Sequence, residues 1–218
     1  MIKDREETRN LLESLVAMAD EAGVMLAQAM KTFSASTHEQ VQLLREMDRL
    51  IDRMENLHDS KCLRILALYQ PEADDLRTVF MALKINNDLE RIADHALNVA
   101  ERGESLKEPL PSILRDRLDH MGRLAQGMLG DAVTAFVARD TALAKNVIER
   151  DDEADELLRE TVQDVILQEN THGATLETAI AIVLAAKELE RIADLCTNIA
   201  EDVVFMAEGV NIKHGEEA

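Results

Sequence analysis

Aromatic residues are almost missing from this sequence: among its 218 residues there is no tryptophan and one tyrosine, and aromatics make up 2%. Strands favour aromatic and β-branched side chains, so this composition disfavours a β sandwich. The three prolines leave long stretches without a helix breaker. Alanine, leucine and methionine are plentiful, and these side chains suit closely packed helices. We therefore expect an all-α protein.

Cysteines and long apolar runs are also scarce. The two cysteines, Cys62 and Cys196, belong to no C-x-x-C or Cys/His pattern, which argues against a structural zinc site or a disulfide framework. We expect both to be reduced structural thiols. No stretch approaches the ~18 apolar residues of a membrane-spanning helix, and the N-terminus has no apolar signal region. We therefore expect a cytoplasmic protein that does not insert into a membrane.

Basic residues are in the minority, with 24 lysines and arginines against 43 aspartates and glutamates and a net charge of −19. Such an acidic chain is repelled by nucleic acids and anionic lipids, so we expect no nucleic-acid partner. Cations and basic protein surfaces are favoured instead. The sequence also has no G-x-S-x-G, no Walker loop and no glycine-rich fingerprint. We therefore expect no catalytic residues.

The spacing of apolar residues predicts six long helices. The first is expected at about 4–33. The second should start at the capping-box pattern of Ser36 and Glu39 and end at about 69. The other four are expected at about 71–103, 112–138, 140–170 and 175–209. The apolar side of the second helix is expected at Leu43, Met47, Leu50, Met54 and Leu57. Long helices joined by short turns predict two up-down-up three-helix bundles in tandem.

The clearest boundary between the two bundles is the segment SLKEPLPSI, which contains two of the three prolines. We therefore divide the chain into a first bundle at 1–104, a linker at 105–111, a second bundle at 112–209 and a C-terminal tail at 210–218.

A repeated motif relates the two third helices. NDLERIADHALNVAE, which begins at Asn87, returns 100 positions later as KELERIADLCTNIAE, which begins at Lys187. Five of the nine unchanged residues are polar, although a duplicated helix needs only its apolar residues to rebuild a core. On a helix Glu90, Asp94 and Asn98 form a stripe away from the apolar side. A solvated surface would also be acidic, but the repetition favours a site, and we expect it to face outwards.

A second repeated feature is a pair of aspartates four residues apart on the second helices, at Asp48 and Asp52 and again at Asp151 and Asp155. Four-spaced carboxylates repel each other by a few tenths of a kcal/mol, which a bound cation would relieve. If the second and third helices are neighbours, each bundle offers four acids: Asp48, Asp52, Glu90 and Asp94, and then Asp151, Asp155, Glu190 and Asp194. Oxygen ligands suit Mg²⁺, Mn²⁺, Ca²⁺ or ferric iron.

A carboxylate-bridged di-iron enzyme is the alternative that a helical bundle also allows. Such sites use Glu-x-x-His on two helices, and the matches here are Glu55 with His58 and Glu169 with His172. The two matches do not occupy equivalent positions in the repeat, and the second lies beside Gly173 at a helix end. A metal-storage protein or metal enzyme therefore remains the second hypothesis.

The repeated motifs resemble those of the PhoU family over essentially the whole chain. The resemblance lies in NNDLERIADHALNVAE and KELERIADLCTNIAE on the third helices and in MDRLIDRMENL and RDDEADELL on the second. It implies tandem three-helix bundles whose E/D-x-x-x-D motifs hold multinuclear metal clusters at the surface. Carried over to this chain, it makes the eight acids metal ligands and Asn98 and Asn198 accessory ligands. His95 against Leu195, and the extra acids Asp152 and Glu153, are departures from equivalence of the two sites.

The same resemblance implies a function. Members of the family repress the phosphate-starvation response when phosphate is ample. They act in the cytoplasm, between the ATPase of a phosphate ABC transporter and a membrane sensor histidine kinase. The resemblance also implies a homodimer with bound metal ions, for which iron, manganese, magnesium or another hard cation is expected.

Overall fold

The computed structural model describes residues 2–33, 37–106, 110–172 and 175–208, and within these ranges the chain is helical without any strand. The helices are α1 (Ile2–Thr32), α2 (His38–Tyr69), α3 (Ala73–Glu104), α4 (Ser112–Ala138), α5 (Thr141–Glu149), α6 (Asp151–His172) and α7 (Leu176–Glu208). The all-α prediction is therefore confirmed. None of these described helices combines the length and the apolar character that crossing a bilayer would require.

The predicted fifth helix is in fact two helices, so the expectation of one helix over 140–170 is wrong at Arg150. The backbone N–H of Arg150 bonds back to Val147 and Ile148, which closes α5. A run of acids from Asp151 to Glu153 then occupies the first turn of α6, where the positive end of the helix dipole stabilises negative charge. Asp151 thus begins a helix, whereas its counterpart Asp48 lies inside one.

The start of α2 also differs from the expectation by one residue. Thr37 caps the helix: its hydroxyl accepts from the Gln40 N–H at 3.3 Å, and the Gln40 side chain accepts from the Thr37 N–H at 2.9 Å. This is a capping box that overlaps the one predicted from Ser36 and Glu39. Ser36 itself lies outside the described residues.

The apolar side of α2 is rotated from the predicted one. The structure buries Val41, Leu44, Ile51, Cys62 and Ile65, and it leaves Leu43, Leu50 and Leu57 exposed. Met47 and Met54 are partly buried against the core. Both sets of residues have helical spacing, and packing on α1 and α3 decides between them. The prediction is therefore wrong for the three exposed leucines.

The helices form two bundles that pack against each other through equivalent helices. In the first bundle α1, α2 and α3 are mutual neighbours, and in the second α7 packs against α4, α5 and α6. Across the bundles α3 lies on α7 and α1 lies on α4. A Cβ at Gly122 on α4 would come within 2.7 Å of Met30 on α1, so the two helices approach closely. The predicted tandem bundles therefore share one continuous core.

Polar contacts among the described residues also join α3 to α7. His95 Nδ1 lies 2.7 Å from Glu188 Oε2, and Lys84 Nζ donates to Asp202, whose side chain is buried. The pairing of 84 with 202 and of 95 with 188 shows that the two helices are antiparallel. His95 is thus held between the bundles.

The predicted linker 105–111 falls between α3 and α4, and its residues 107–109 lie outside the described part of the chain, as does the predicted tail 210–218. The limits of the two bundles therefore remain predictions. Cys62 and Cys196 are free and buried. Burial raises the pKa of the Cys62 thiol to about 11 and also raises that of Cys196, which keeps both thiols protonated and unreactive.

Candidate metal centres

The first cluster of acids lies where α2 packs beside α3, and we call Asp48, Asp52, Glu90 and Asp94 the first acid cluster. Asp48 and Asp94 are close enough to share a hydrogen bond. Burial raises the pKa of Asp48 to about 6, with further contributions from the charges of Asp94 and Asp52. Burial and the four neighbouring carboxylates raise the pKa of Glu90 to about 7. The helices therefore bring the four predicted residues within electrostatic reach of one another.

The structure adds Glu55 to this cluster. Its charge is one of the causes that raise the pKa of Glu90, and burial raises the pKa of Glu55 itself, while a hydrogen bond with Asn87 opposes that shift. The sequence carried a signal, because Glu55 follows Asp52 by one helical turn. The second bundle has Leu158 at the matching place, so the repeat alone does not select Glu55.

The second acid cluster comprises Asp151, Asp155, Glu190 and Asp194, where α6 packs beside α7. Although Asp194 is exposed, partial burial of its carboxyl group raises its pKa to about 6, the charges of Glu190 and Asp151 add to this, and Lys187 opposes it. Burial also raises the pKa of Asp151, whose Oδ1 accepts a 3.2 Å hydrogen bond from the Thr197 hydroxyl.

Glu190 departs from the expectation that the repeated acids face outwards. Its residue is only 6% exposed, whereas Asp94 and Asp194 are exposed. Lys187 donates to Oε1 of Glu190, while Oε2 is buried and has no hydrogen-bond partner among the described residues. The prediction of an outward face is thus wrong for Glu190. A buried carboxylate oxygen without a partner is costly, and a cation is one group that would satisfy it.

The two clusters are not equivalent. Lys187 lies beside the second cluster, and Asn87 occupies the matching position in the first. Asn98 and Asn198 are half-buried and lie one turn beyond Asp94 and Asp194 on α3 and α7. His95 belongs to neither cluster in this arrangement because its ring faces Glu188.

The donor chemistry of both clusters fits a hard cation, because the grouped side chains offer carboxylate oxygens and lack thiolates. Burial, and after it the crowding of like charges, raises pKa values in each cluster, and Glu190 has an unsatisfied oxygen. As the side chains stand, however, no three acidic, imidazole or thiol groups in the described residues are arranged to hold one metal ion. Binding would therefore require the side chains to close around the ion.

The Glu-x-x-His matches are not arranged as a di-iron site. His58 is 1% exposed, and its Nδ1 lies 2.9 Å from Oδ1 of Asn86. The amide of Asn86 in turn donates to the backbone carbonyl of Glu55 and to Asp59. His58 is thus part of a hydrogen-bonded core network, and burial lowers its pKa. The side chains of the second match, Glu169 and His172, lie outside the described part of the structure.

A groove of about 650 Å³ opens between α1 and α4, away from both clusters. Small and apolar residues such as Val16, Gly23 and Leu129 line it, and its charged residues are Asp20 and Lys31.

The raised pKa values predict how the stability of the metal-free protein depends on pH. In the folded chain the pKa is about 6 for Asp48 and Asp194 and about 7 for Glu90, whereas unfolded carboxyls titrate near ~4. The folded state therefore binds these protons more tightly than the unfolded state. The free energy of unfolding should thus rise through these groups as the pH falls from about 7 towards about 4. Urea unfolding of EDTA-treated protein measures it.

A matched variant isolates this effect. Asp94→Asn combined with Asp194→Asn removes one charge from each cluster. This variant should be more stable than the wild type at neutral pH, and its advantage in the free energy of unfolding should shrink as the pH falls. His58, whose pKa is lowered by burial, acts in the opposite sense, but equally in both proteins. A difference between the two proteins that stays constant between about pH 8 and about pH 5 would contradict the prediction.

Comparison with known proteins agrees with the motif analysis. A family model described as the PhoU domain matches residues 15–103 and 118–203, one match in each bundle. A phosphate-specific transport system accessory protein PhoU homolog of Aquifex aeolicus is 34% identical over 98% of this chain and 96% of its own. A homolog of the same name from Pseudomonas aeruginosa is 35% identical over 79% of this chain and 72% of its own.

Solved structures show the same fold. The crystal structure of PhoU from Pseudomonas aeruginosa superposes with a TM-score of 0.87 at 30% identity, covering 94% of this chain and 99% of its own. The phosphate transport system regulatory protein PhoU from Streptococcus pneumoniae superposes with a TM-score of 0.89 at 25% identity, covering 96% and 99%.

Proposed function

The chain belongs to the PhoU family, and from that premise we propose that it is a non-catalytic negative regulator of phosphate uptake and of phosphate-starvation signalling. The observation that carries the proposal is the match of both bundles to a family whose compared members are named accessory or regulatory proteins of phosphate transport. In this role the chain acts in the cytoplasm as an adaptor between the ATPase of a phosphate ABC transporter and a sensor histidine kinase. It acts as a homodimer.

Metal binding is the second part of the proposal. Each acid cluster binds iron, manganese, magnesium or another hard cation through its four carboxylates, with Asn98 or Asn198 as an accessory oxygen ligand. The raised pKa values and the unsatisfied oxygen of Glu190 support this part. A cation would offset the repulsion among the carboxylates and would coordinate the oxygen of Glu190 that has no hydrogen-bond partner. In the second cluster, Glu190 would either release Lys187 or contact Lys187 and the ion together.

Metal occupancy would give the clusters a regulatory use. Filling both clusters would cancel several negative charges on a chain with a net charge of −19. Charge complementarity controls which surfaces dock and how fast they meet. The occupied and the empty protein would therefore present different surfaces to the transporter and to the kinase.

Binding of the purified protein to its two proposed partners tests the adaptor role. We expect the wild-type chain to bind the transporter ATPase and the cytoplasmic part of the kinase from the same organism in biolayer interferometry, and the affinity to change when EDTA removes the metal. A protein of similar size and charge serves as the control for nonspecific attraction. Failure to bind either partner, with and without metal, would argue for the metal-storage alternative.

A further inference from the structure

Exposed apolar side chains occur at equivalent positions in the two bundles. They lie towards the C-terminal end of the second helix of each bundle and the N-terminal end of the third: Leu63, Leu76 and Phe80 form the first tip, and Ile166, Leu176 and Ile180 form the second. Each of the six is between 44% and 64% exposed. They obey the offsets of the repeated acids, 103 from α2 to α6 and 100 from α3 to α7.

This recurrence needs a reason other than the core. A duplicated bundle must keep its buried apolar residues, but exposed ones cost solubility and are free to become polar. The exposed leucines on the other side of α2 illustrate that freedom: Leu43 corresponds by the same offset to Asn146, and Leu50 to Glu153. The tips, by contrast, remain apolar in both copies.

Each tip lies on the same face as its acid cluster. The contacts of Arg45 with Glu101 and of Asp59 with Asn86 fix the antiparallel register of α2 and α3, and continuing this register brings Leu63 within one helical turn of the level of Phe80. At about 100° per residue, Leu76 and Phe80 project within about 80° of the acids on α3, and Leu63 projects within about 60° of those on α2. The face formed by α2 and α3 is thus acidic in its middle and apolar at its end.

We propose that each tip docks an amphipathic helix of a partner protein, with apolar residues against the tip and basic residues along the adjacent acid cluster. Such a helix-in-groove mode uses an apolar stripe for affinity and charges for orientation. The negative charge of this chain indicates which kind of partner would bind at the tips. A second copy of this acidic chain would place like charges face to face, and an anionic lipid surface would be repelled. The inference rests on the adaptor role proposed above and specifies the surface that performs it.

Serine substitutions at the tips test the inference. Leu76→Ser with Phe80→Ser alters the first tip, and Leu176→Ser with Ile180→Ser alters the second. Each protein is titrated against the purified transporter ATPase and the cytoplasmic part of the kinase at low and high salt. We expect at least one tip variant to raise a dissociation constant more than ~10-fold, about 1.4 kcal/mol, and wild-type binding to weaken with salt.

Matched controls separate docking from general effects. Leu43→Ser with Leu50→Ser removes two exposed leucines from another side of α2 and should leave affinity within about twofold, well under 1 kcal/mol. Circular dichroism checks that every variant is folded. Leu63→Ser, on the facing helix of the first tip, supplies an independent variant whose effect should follow that of the first tip.

Each other result would overturn the inference in a distinguishable way. Unchanged affinity in both tip variants, or an equal loss in the control variant, would show that the tips do not dock the partner. If light scattering shows a dimer for the wild type and a monomer for the tip variants only, the tips serve self-association. Tip-dependent binding to phosphatidylglycerol vesicles would assign them to the membrane. If the wild type binds neither protein, the adaptor role falls, and this inference falls with it.

Discussion

Deleting the gene for this chain should switch on phosphate-starvation genes in phosphate-rich medium, to the level that the parent strain reaches only when phosphate is withdrawn. The expectation follows from the proposed role, in which the chain transmits phosphate sufficiency to the kinase. Because it has a net charge of −19, it is repelled by DNA, so its control of transcription should pass through protein partners. Transcript levels at high and low phosphate measure the effect.

Complementation shows whether the acid clusters take part. The wild-type gene should restore repression, and a gene carrying Asp94→Ala and Asp194→Ala should restore less of it, at equal protein level. A gene carrying Asp20→Ala and Asp116→Ala provides the control, because these exposed aspartates on α1 and α4 lie outside both clusters. If the deletion strain represses the starvation genes normally in rich medium, the chain is not the repressor that we propose.

Replacing Asp94 and Asp194 by alanine should remove most of the bound metal while the helices remain intact. Both side chains are exposed, so their removal leaves no cavity in the core. The loss of a like charge should even stabilise the metal-free protein by a few tenths of a kcal/mol per cluster. Elemental analysis of protein purified without an affinity tag or added metal gives the metal content, and circular dichroism gives the helicity.

The same two control substitutions apply here. Protein carrying Asp20→Ala and Asp116→Ala should keep the metal content of the wild type. Full metal content in the cluster variant would place the metal elsewhere, and unfolding of the cluster variant would show that Asp94 and Asp194 are structural.

The sequence predicts the helical fold and the grouping of the acids because both depend on local spacing and on a visible repeat. It does not predict the break at Arg150, since an acidic run that follows can continue a helix as well as start one. It also does not select the buried side of α2, because two apolar stripes have helical spacing and the choice depends on α1 and α3.

The sequence also does not predict that Glu190 is buried. The motif LERIAD is identical in both bundles, and so periodicity assigns Glu90 and Glu190 the same exposure. The difference arises from neighbours that the motif does not contain. Lys187, which replaces Asn87, donates to Glu190, and Leu158 stands in the second bundle where Glu55 stands in the first.

The pairing of α3 with α7 and of α1 with α4 is what two copies of one bundle would form around a twofold axis. In such a symmetric dimer every contact would occur twice. Here the symmetry-related counterpart of the contact between His95 and Glu188 would join Leu195 to Asp88, and a leucine side chain cannot form that hydrogen bond. Because the two bundles belong to one chain, each side of the axis can differ from the other, as it does where one acid cluster has Lys187 and the other has Asn87.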